Sequence, residues 1–227
     1  MDAIRVTHFS DVLCIWAYVS QARVDELQAT LGEKVAVEMR FCSVFGDTRS
    51  KLAKRWAERG GFSGYGAHVR DVADGFPHVT VHPDVWRKLQ PASSLSCHLF
   101  LCAVRRLAAE GKLGGDGVAR YHSACWALRE AYFRDLRDVS ARAVQLAVAQ
   151  DLGLPVEELV TRLDDGAAHA ELSADYDLAR EQAVTVSPTL ILNEGRQRLN
   201  GNVSFNVIEA NVRELLLQKA AEQASTC

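Results

Sequence analysis

The sequence contains no Cys-x-x-Cys pair, only five prolines and two methionines in 227 residues, and no marked excess of either charge. Its six cysteines, at positions 14, 42, 97, 102, 125 and 227, fall at irregular separations. That spacing excludes a zinc ribbon and a repeating disulfide framework, and predicts mostly free thiols in a reducing compartment. With 26 basic and 29 acidic residues the formal charge is −3, and neither sign gathers into blocks, so nucleic acid is not expected as an obligate partner. No run approaches the ~20 apolar residues a membrane-spanning helix requires, and the first residues lack a basic segment leading into an apolar stretch of signal length. We therefore expect a cytoplasmic protein with no membrane partner. The chain is long enough to bury an ample core as one domain.

What is present begins with Ile4-Arg5-Val6-Thr7-His8-Phe9, whose period-two alternation predicts a strand. Trp16, Val19, Val24, Leu27 and Leu31 then recur at roughly helical spacing, and Gly32 supplies a stop. Cys14 falls in the first turn of that helix. Unpaired N–H groups and the positive end of the helix dipole there favour a thiolate, which predicts a pKa below the ordinary ~8.5. The competing reading is a small buried hydrophobe. Val35–Phe41 alternates as a second strand, completing a βαβ unit whose ligand site is expected at the carboxyl end of the first strand, where Cys14 lies.

Thr48 to Glu58 reads as a short basic helix containing Trp56. The glycine cluster of residues 59–66 follows a helix instead of opening one after a strand, so we read it as a mobile loop over the site and not as a phosphate cradle. Pro77, Pro83 and Pro91 predict an extended, turn-rich segment. Helical patterning then runs from Ser93 to about Gln182, with Ala143, Leu146 and Ala147 facing inward in one of its helices. Thr189–Leu192 suits a central strand, Glu194-Gly195 a turn into an edge strand over Gln197–Leu199, and a last helix starts near Ser204 or near Asn206, where Asn206-x-x-Glu209 resembles a capping box, and buries Ile208, Val212, Leu215 and Leu216.

Asp11, Cys14, Trp16 and Tyr18 resemble the Asp-x-x-Cys-Pro-Trp-Cys-Tyr run of the cytosolic DsbA-like branch of the thioredoxin superfamily. Val186-Ser187-Pro188-Thr189 is similar to that family's Val-Pro-Thr segment. The resemblance implies an α/β, thioredoxin-like fold with an inserted α-helical subdomain. One domain would span 1–227, with the core at about 1–45 and 184–227 and the helical insertion at about 46–183. It further implies a cis bond at Pro188, Cys14 as nucleophile, and Asp11, Trp16, Ser187 and Pro188 as the residues meeting substrate or glutathione; from the residues themselves, a turn-capping role for Asp11 is an equal alternative. Ile15 replaces the motif's proline and Ala17 its second cysteine, so the implied site is monothiol.

The implied activity is thiol-disulfide oxidoreductase or isomerase chemistry through a mixed disulfide on Cys14, resolved by an external thiol. The expected partner is a disulfide-containing protein or a small thiol or disulfide, with glutathione as co-substrate and no tightly bound cofactor; a homodimer is compatible with the sequence. Two alternatives stay open. One is glutathione-dependent transfer or isomerisation of small molecules, as in the related kappa-class glutathione transferases and 2-hydroxychromene-2-carboxylate isomerases. The other is a non-catalytic peptide-binding module. Elsewhere, His8 is read as a core histidine ahead of a thiolate partner, and Cys97, His98 and Cys102 lack the spacing of a metal site. His78 and His82 are two histidines where a metal needs more ligands. Cys42, at the end of the second strand, is either a buried structural thiol or an unconventional resolving one, and Cys227 is the cysteine least expected to be structural.

Overall fold

The computed structural model describes residues 3–225, with side chains to residue 220; Cys227 lies outside them. The chain opens with β1 (Ile4–Ser10), α1 (Ile15–Leu31) and β2 (Val35–Phe41). Alternation in β1 turns Ile4, Val6 and His8 to one face and Phe9 to the other, and both faces are covered. α1 stops where Gly32 takes a positive φ of 53°, a conformation L side chains resist. β1 and β2 pair in parallel, from Ile4↔Val35 to Ser10↔Phe41, which brings the ends of both strands level beside Cys14.

Seven helices separate β2 from the rest of the sheet: α2 (Thr48–Arg55), α3 (Gly61–Asp74), α4 (Leu95–Ala109), α5 (Gly117–Phe133), α6 (Arg142–Asp151), α7 (Val156–Asp164) and α8 (Ala167–Glu181). β3 (Thr189–Leu192) then pairs antiparallel with β1, and β4 (Gln197–Asn200) pairs antiparallel with β3 as the edge strand, giving the order β2-β1-β3-β4. α9 (Phe205–Ser225) closes the chain and packs on α1 and β1. This is the α/β, thioredoxin-like arrangement with helices between the sheet's two halves. α4 is the hub of the helical block: Cys97, His98, Phe100, Leu101, Cys102, Ala103, Val104 and Leu107 are buried, and α5, α7 and α8 pack around it. At roughly 1.5–3 kcal/mol for each large apolar side chain removed from water, this helix anchors the block.

Three expectations are corrected. The glycine cluster is not a loop but the start of α3. The packing of Tyr65, Val69 and Val72, all buried, outweighs poor intrinsic propensity. In α6 the fully buried residues are Gln145, Val148 and Ala149; Leu146 packs half-buried against the core as expected, while Ala143 is exposed. Of the two starts expected for the last helix, the one near Ser204 holds: the helix begins at Phe205 with the Ile208 N–H bonded to the Ser204 carbonyl, so Asn206 lies inside the first turn and is not its cap.

Two buried polar side chains tie helices to the sheet. The Asp175 carboxylate on α8 accepts from the Phe41 N–H at 3.1 Å, from Arg40 at 2.8 Å and from Arg105 on α4 at 2.8 and 2.9 Å. Arg129 on α5, fully buried, reaches the Ser10 hydroxyl at 2.9 Å and the Gln21 side-chain oxygen. Close by, His8 is fully buried with neither ring nitrogen hydrogen-bonded. Burial, reinforced by the charges of Arg129 and His122, lowers its pKa to about 3, so it stays neutral and serves as core.

Gly66 gives a test of the α3 packing. A Cβ there would lie 2.5 Å from the Val85 carbonyl oxygen. Gly66→Ala gains about 1 kcal/mol in helix propensity but costs roughly 1–3 kcal/mol in overpacking against backbone. We expect net destabilisation by urea unfolding, whereas Gly75→Ala, whose Cβ would meet only an ordinary 3.5 Å contact, stays near neutral.

Candidate active site

Cys14 is the N-cap of α1, with extended backbone angles (φ −88°, ψ 117°), and its carbonyl accepts the Ala17 and Tyr18 N–H groups. A tight turn delivers it there, since the Cys14 N–H bonds the Asp11 carbonyl at 3.1 Å. Beside it, just before β3 where that strand pairs with the end of β1, stands the Ser187–Pro188 peptide, which is cis. The Cys14 thiol donates to the Ser187 carbonyl at 3.2 Å, and the Ser187 hydroxyl accepts the Asp11 N–H at 2.9 Å. Asp11, Cys14, Ser187 and Pro188 thus converge although more than 170 residues separate the two segments. Trp16 stands apart, half-buried, with its ring edge-on to His68 and Phe76 at centroid distances of 6.5 and 6.3 Å.

Asp11 is placed differently from the expectation that it meets substrate. It is fully buried, and its carboxylate accepts four hydrogen bonds: Leu13 N–H at 3.0 Å, Val44 N–H at 3.0 Å, Phe45 N–H at 2.7 Å and the Ser94 hydroxyl at 2.8 Å. Neither oxygen reaches the surface, so the carboxylate meets no substrate from solvent. The residue instead joins the cysteine turn to the segment after β2 and to the start of α4. Burial pushes its carboxyl up, but the His98 imidazole 3.6 Å away and the Phe45 and Leu13 N–H donors outweigh that and hold it below the ordinary carboxylate range.

The expected activation of Cys14 is also corrected. The residue is 5% exposed. Burial pushes its thiol above the ordinary range and the Asp11 charge adds to this, while the Ser187 hydroxyl and the Ala17 and Trp16 N–H groups pull the other way. The helix terminus acts in the predicted direction, but desolvation is the larger effect. In this closed arrangement Cys14 is a neutral thiol.

Cys42 follows β2, its N–H bonded to the Ser10 carbonyl at 3.1 Å, so one peptide, Ser10–Asp11, is gripped by Cys42 on one side and Ser187 on the other. Burial raises its thiol well above the ordinary range. It packs with Phe9, Ala179 and Ile191 and borders a cleft of about 340 Å³ whose walls include Lys51, Lys54, Arg55 and Thr185. The Lys51 ammonium donates to the Val44 carbonyl at 2.8 Å and lies 4.0 Å from the centre of the Phe45 ring. Cys97 donates to the Val139 carbonyl at 3.2 Å, and Cys102 sits by Arg105 and Asp175, so the two do not face a common site. His78 bonds the Val19 carbonyl and His82 the Asp84 N–H, so these two serve separate turns. The five described cysteines are free, and no group of three or more metal-ligating side chains gathers among the described residues. No described helix is long and apolar enough to cross a membrane.

Sequence reasoning missed Ser94, Lys51 and His98. Their signal was faint: His98 is a polar residue within the apolar core of α4, and Ser94 is a hydroxyl one position before that helix.

Asp11→Asn should lower stability by about 3 kcal/mol at pH 7, because an amide nitrogen would face N–H donors where a charged acceptor stood. The folded-state carboxyl titrates below its unfolded value, so its contribution is complete above the unfolded pKa of ~3.9 and is lost as pH falls through the folded one. In urea unfolding the gap between wild type and variant should hold near neutrality and narrow below about pH 4.

Among known proteins, the ClpXP adapter protein SpxH of Bacillus licheniformis is 27% identical over 147 residues, 59% of this chain, which spans about half the length of that relative. A probable DsbA oxidoreductase of Streptomyces coelicolor superposes with a TM-score of 0.71 at 23% identity, covering 93% of this chain and 89% of that one. The cytosolic disulfide reductase DsbM of Pseudomonas aeruginosa, in a structure with GSH, superposes with a TM-score of 0.64 at 16% identity, covering 96% and 99%. Residues 5–213, the two site segments included, match the family model of the DSBA-like thioredoxin domain. The chain belongs to the DSBA-like thioredoxin domain family.

Proposed function

We propose that the protein is a thiol-disulfide oxidoreductase or isomerase that works through Cys14 alone. The observation that carries this is the meeting of Cys14, at the first turn of α1, with the Ser187 carbonyl 3.2 Å from its sulfur. A disulfide substrate engages the Ser187–Pro188 edge in place of that internal contact and uncovers the thiol. The Cys14 sulfur then bonds to one sulfur of the substrate, its proton passes to solvent, and the other sulfur leaves as a thiolate. Displacing the Ser187 carbonyl and admitting water both reverse the desolvation that keeps Cys14 neutral.

With Ala17 at the turn's second position, the mixed disulfide is resolved by a second thiol from outside. The structure of DsbM with GSH supports glutathione in that role. The protein would then act in the cytoplasm on proteins or small molecules that carry disulfides, with no tightly bound cofactor.

A second reading has specific support. A covered, neutral Cys14 suits a peptide-binding module, and the SpxH relative is described as an adapter. Incubation with oxidised glutathione followed by intact-mass measurement separates the two. The oxidoreductase reading expects a mixed disulfide on Cys14 that is lost in Cys14→Ser. No adduct on Cys14, with alkylation no faster than at buried Cys97, would leave the binding module standing.

Restoring a second sulfur tests the monothiol step. Residues 14 and 17 share one turn, roughly 5–6 Å apart at Cβ, within disulfide reach. Ala17→Cys should form an internal disulfide under mild oxidation and release bound glutathione without added thiol, whereas the natural protein retains the adduct. An Ala17→Cys variant that keeps its adduct as long as wild type would refute the assignment of position 17.

A further inference from the structure

His98 on α4 is fully buried, its ring stacked on Phe41 at a centroid distance of 4.6 Å and 11° between planes. Its Nε2 lies 3.2 Å from the Val12 backbone nitrogen and 3.6 Å from an Asp11 carboxylate oxygen. Its Nδ1 lies 2.8 Å from the Tyr176 hydroxyl on α8. One ring nitrogen cannot accept from Val12 and donate to Asp11 at once. In the neutral ring Nε2 accepts the Val12 N–H, which leaves Nδ1–H to donate to Tyr176. In the imidazolium both nitrogens are donors, so Val12 loses its acceptor and Asp11 gains a charged partner.

We propose that His98 is a positioning residue whose protonation state sets the Asp11–Cys14 turn: neutral, it ties down Val12; protonated, it releases Val12 and pairs with Asp11. The groups around it fit this exchange. The turn presents Asp11 and Cys14, α8 presents Tyr176 and Asp175, β2 presents Phe41, and α4 itself carries Cys97, Cys102 and Arg105. Asp175 is already engaged by Arg40 and Arg105, which leaves Asp11 as the carboxylate that answers a charge on His98. Three residues further along, the Asp11 charge opposes ionisation of Cys14; an imidazolium beside Asp11 offsets that opposition. Proton uptake at His98 therefore both loosens the turn and favours the thiolate. Its meaning for exchange rests on Cys14 being the reacting group, whereas the switch is tested without assuming so.

The test follows the Val12 amide and the His98 ring by NMR between about pH 5 and about pH 9, a range spanning ordinary histidine titration. The expected result is one shared midpoint in wild type. In His98→Gln, whose amide oxygen continues to accept from Val12, the Val12 signal should stay flat across that range. Alkylation of Cys14 by a neutral reagent gives a second readout. Below its pKa a lone thiol loses about tenfold in thiolate per pH unit. Wild type should fall less steeply across the His98 midpoint, and His98→Gln should regain the tenfold slope. A Val12 amide indifferent to His98 titration, or a His98 that holds one protonation state throughout, overturns the proposal, and both are read on wild type alone. If Val12 and His98 titrate together while Cys14 forms no mixed disulfide, the switch stands and the oxidoreductase reading falls.

Discussion

The Asp11 carboxylate is the constraint on which the site depends. It is a buried charge, and such a charge is tolerable only when its acceptor capacity is filled. Here the donors come from three places: the turn that carries Cys14, the segment that leaves β2, and the start of α4. The same residue gives its N–H to Ser187 and its carbonyl to the Cys14 N–H. The approach of Cys14 to the Ser187–Pro188 peptide is therefore set by the Asp11 turn together with the sulfur's own bond to the Ser187 carbonyl.

The same logic joins the helices to the sheet. Asp175 is filled by two guanidinium groups and a backbone N–H from β2, α4 and the strand's own Arg40. Arg129 carries its charge into the core with only neutral partners, Ser10 and Gln21, at the end of β1 and on α1. Losing one partner of such a group leaves an uncompensated charge, which costs more than a lost apolar contact. The helical block is thus held in one orientation relative to the Cys14 turn by polar pegs set in a large apolar contact.

Much of this was legible in the sequence because it rests on local rules. Alternation marked β1 and β2, Gly32 marked the end of α1, and the run Thr189–Leu192 marked the strand buried on both faces. The residues at 11, 14, 187 and 188 pointed to one site before their proximity was known. What failed depended on long-range packing. The glycines of α3 look like a loop because propensity is local, whereas Val85 and Trp86, which Gly66 packs against, lie some twenty residues away. The Cys14 environment was misjudged for a related reason. A helix N-terminus is visible in sequence, but the burial that overrides it comes from segments distant in the chain. The bond from Asp11 to the Leu13 N–H is the turn cap that the sequence offered as one of two readings, whereas its donors in the β2 exit and α4 carry no sequence mark.

The covered sulfur has a consequence beyond exchange. Oxidation by peroxide begins at an exposed thiolate, which passes to sulfenic acid and then to states that cellular thiols do not reverse. Cys14 at rest offers neither the charge nor the surface, since its hydrogen points at the Ser187 carbonyl under the turn. Under the proposed function, the closed turn would open the sulfur to a partner that binds the strand edge while keeping it from small oxidants that do not.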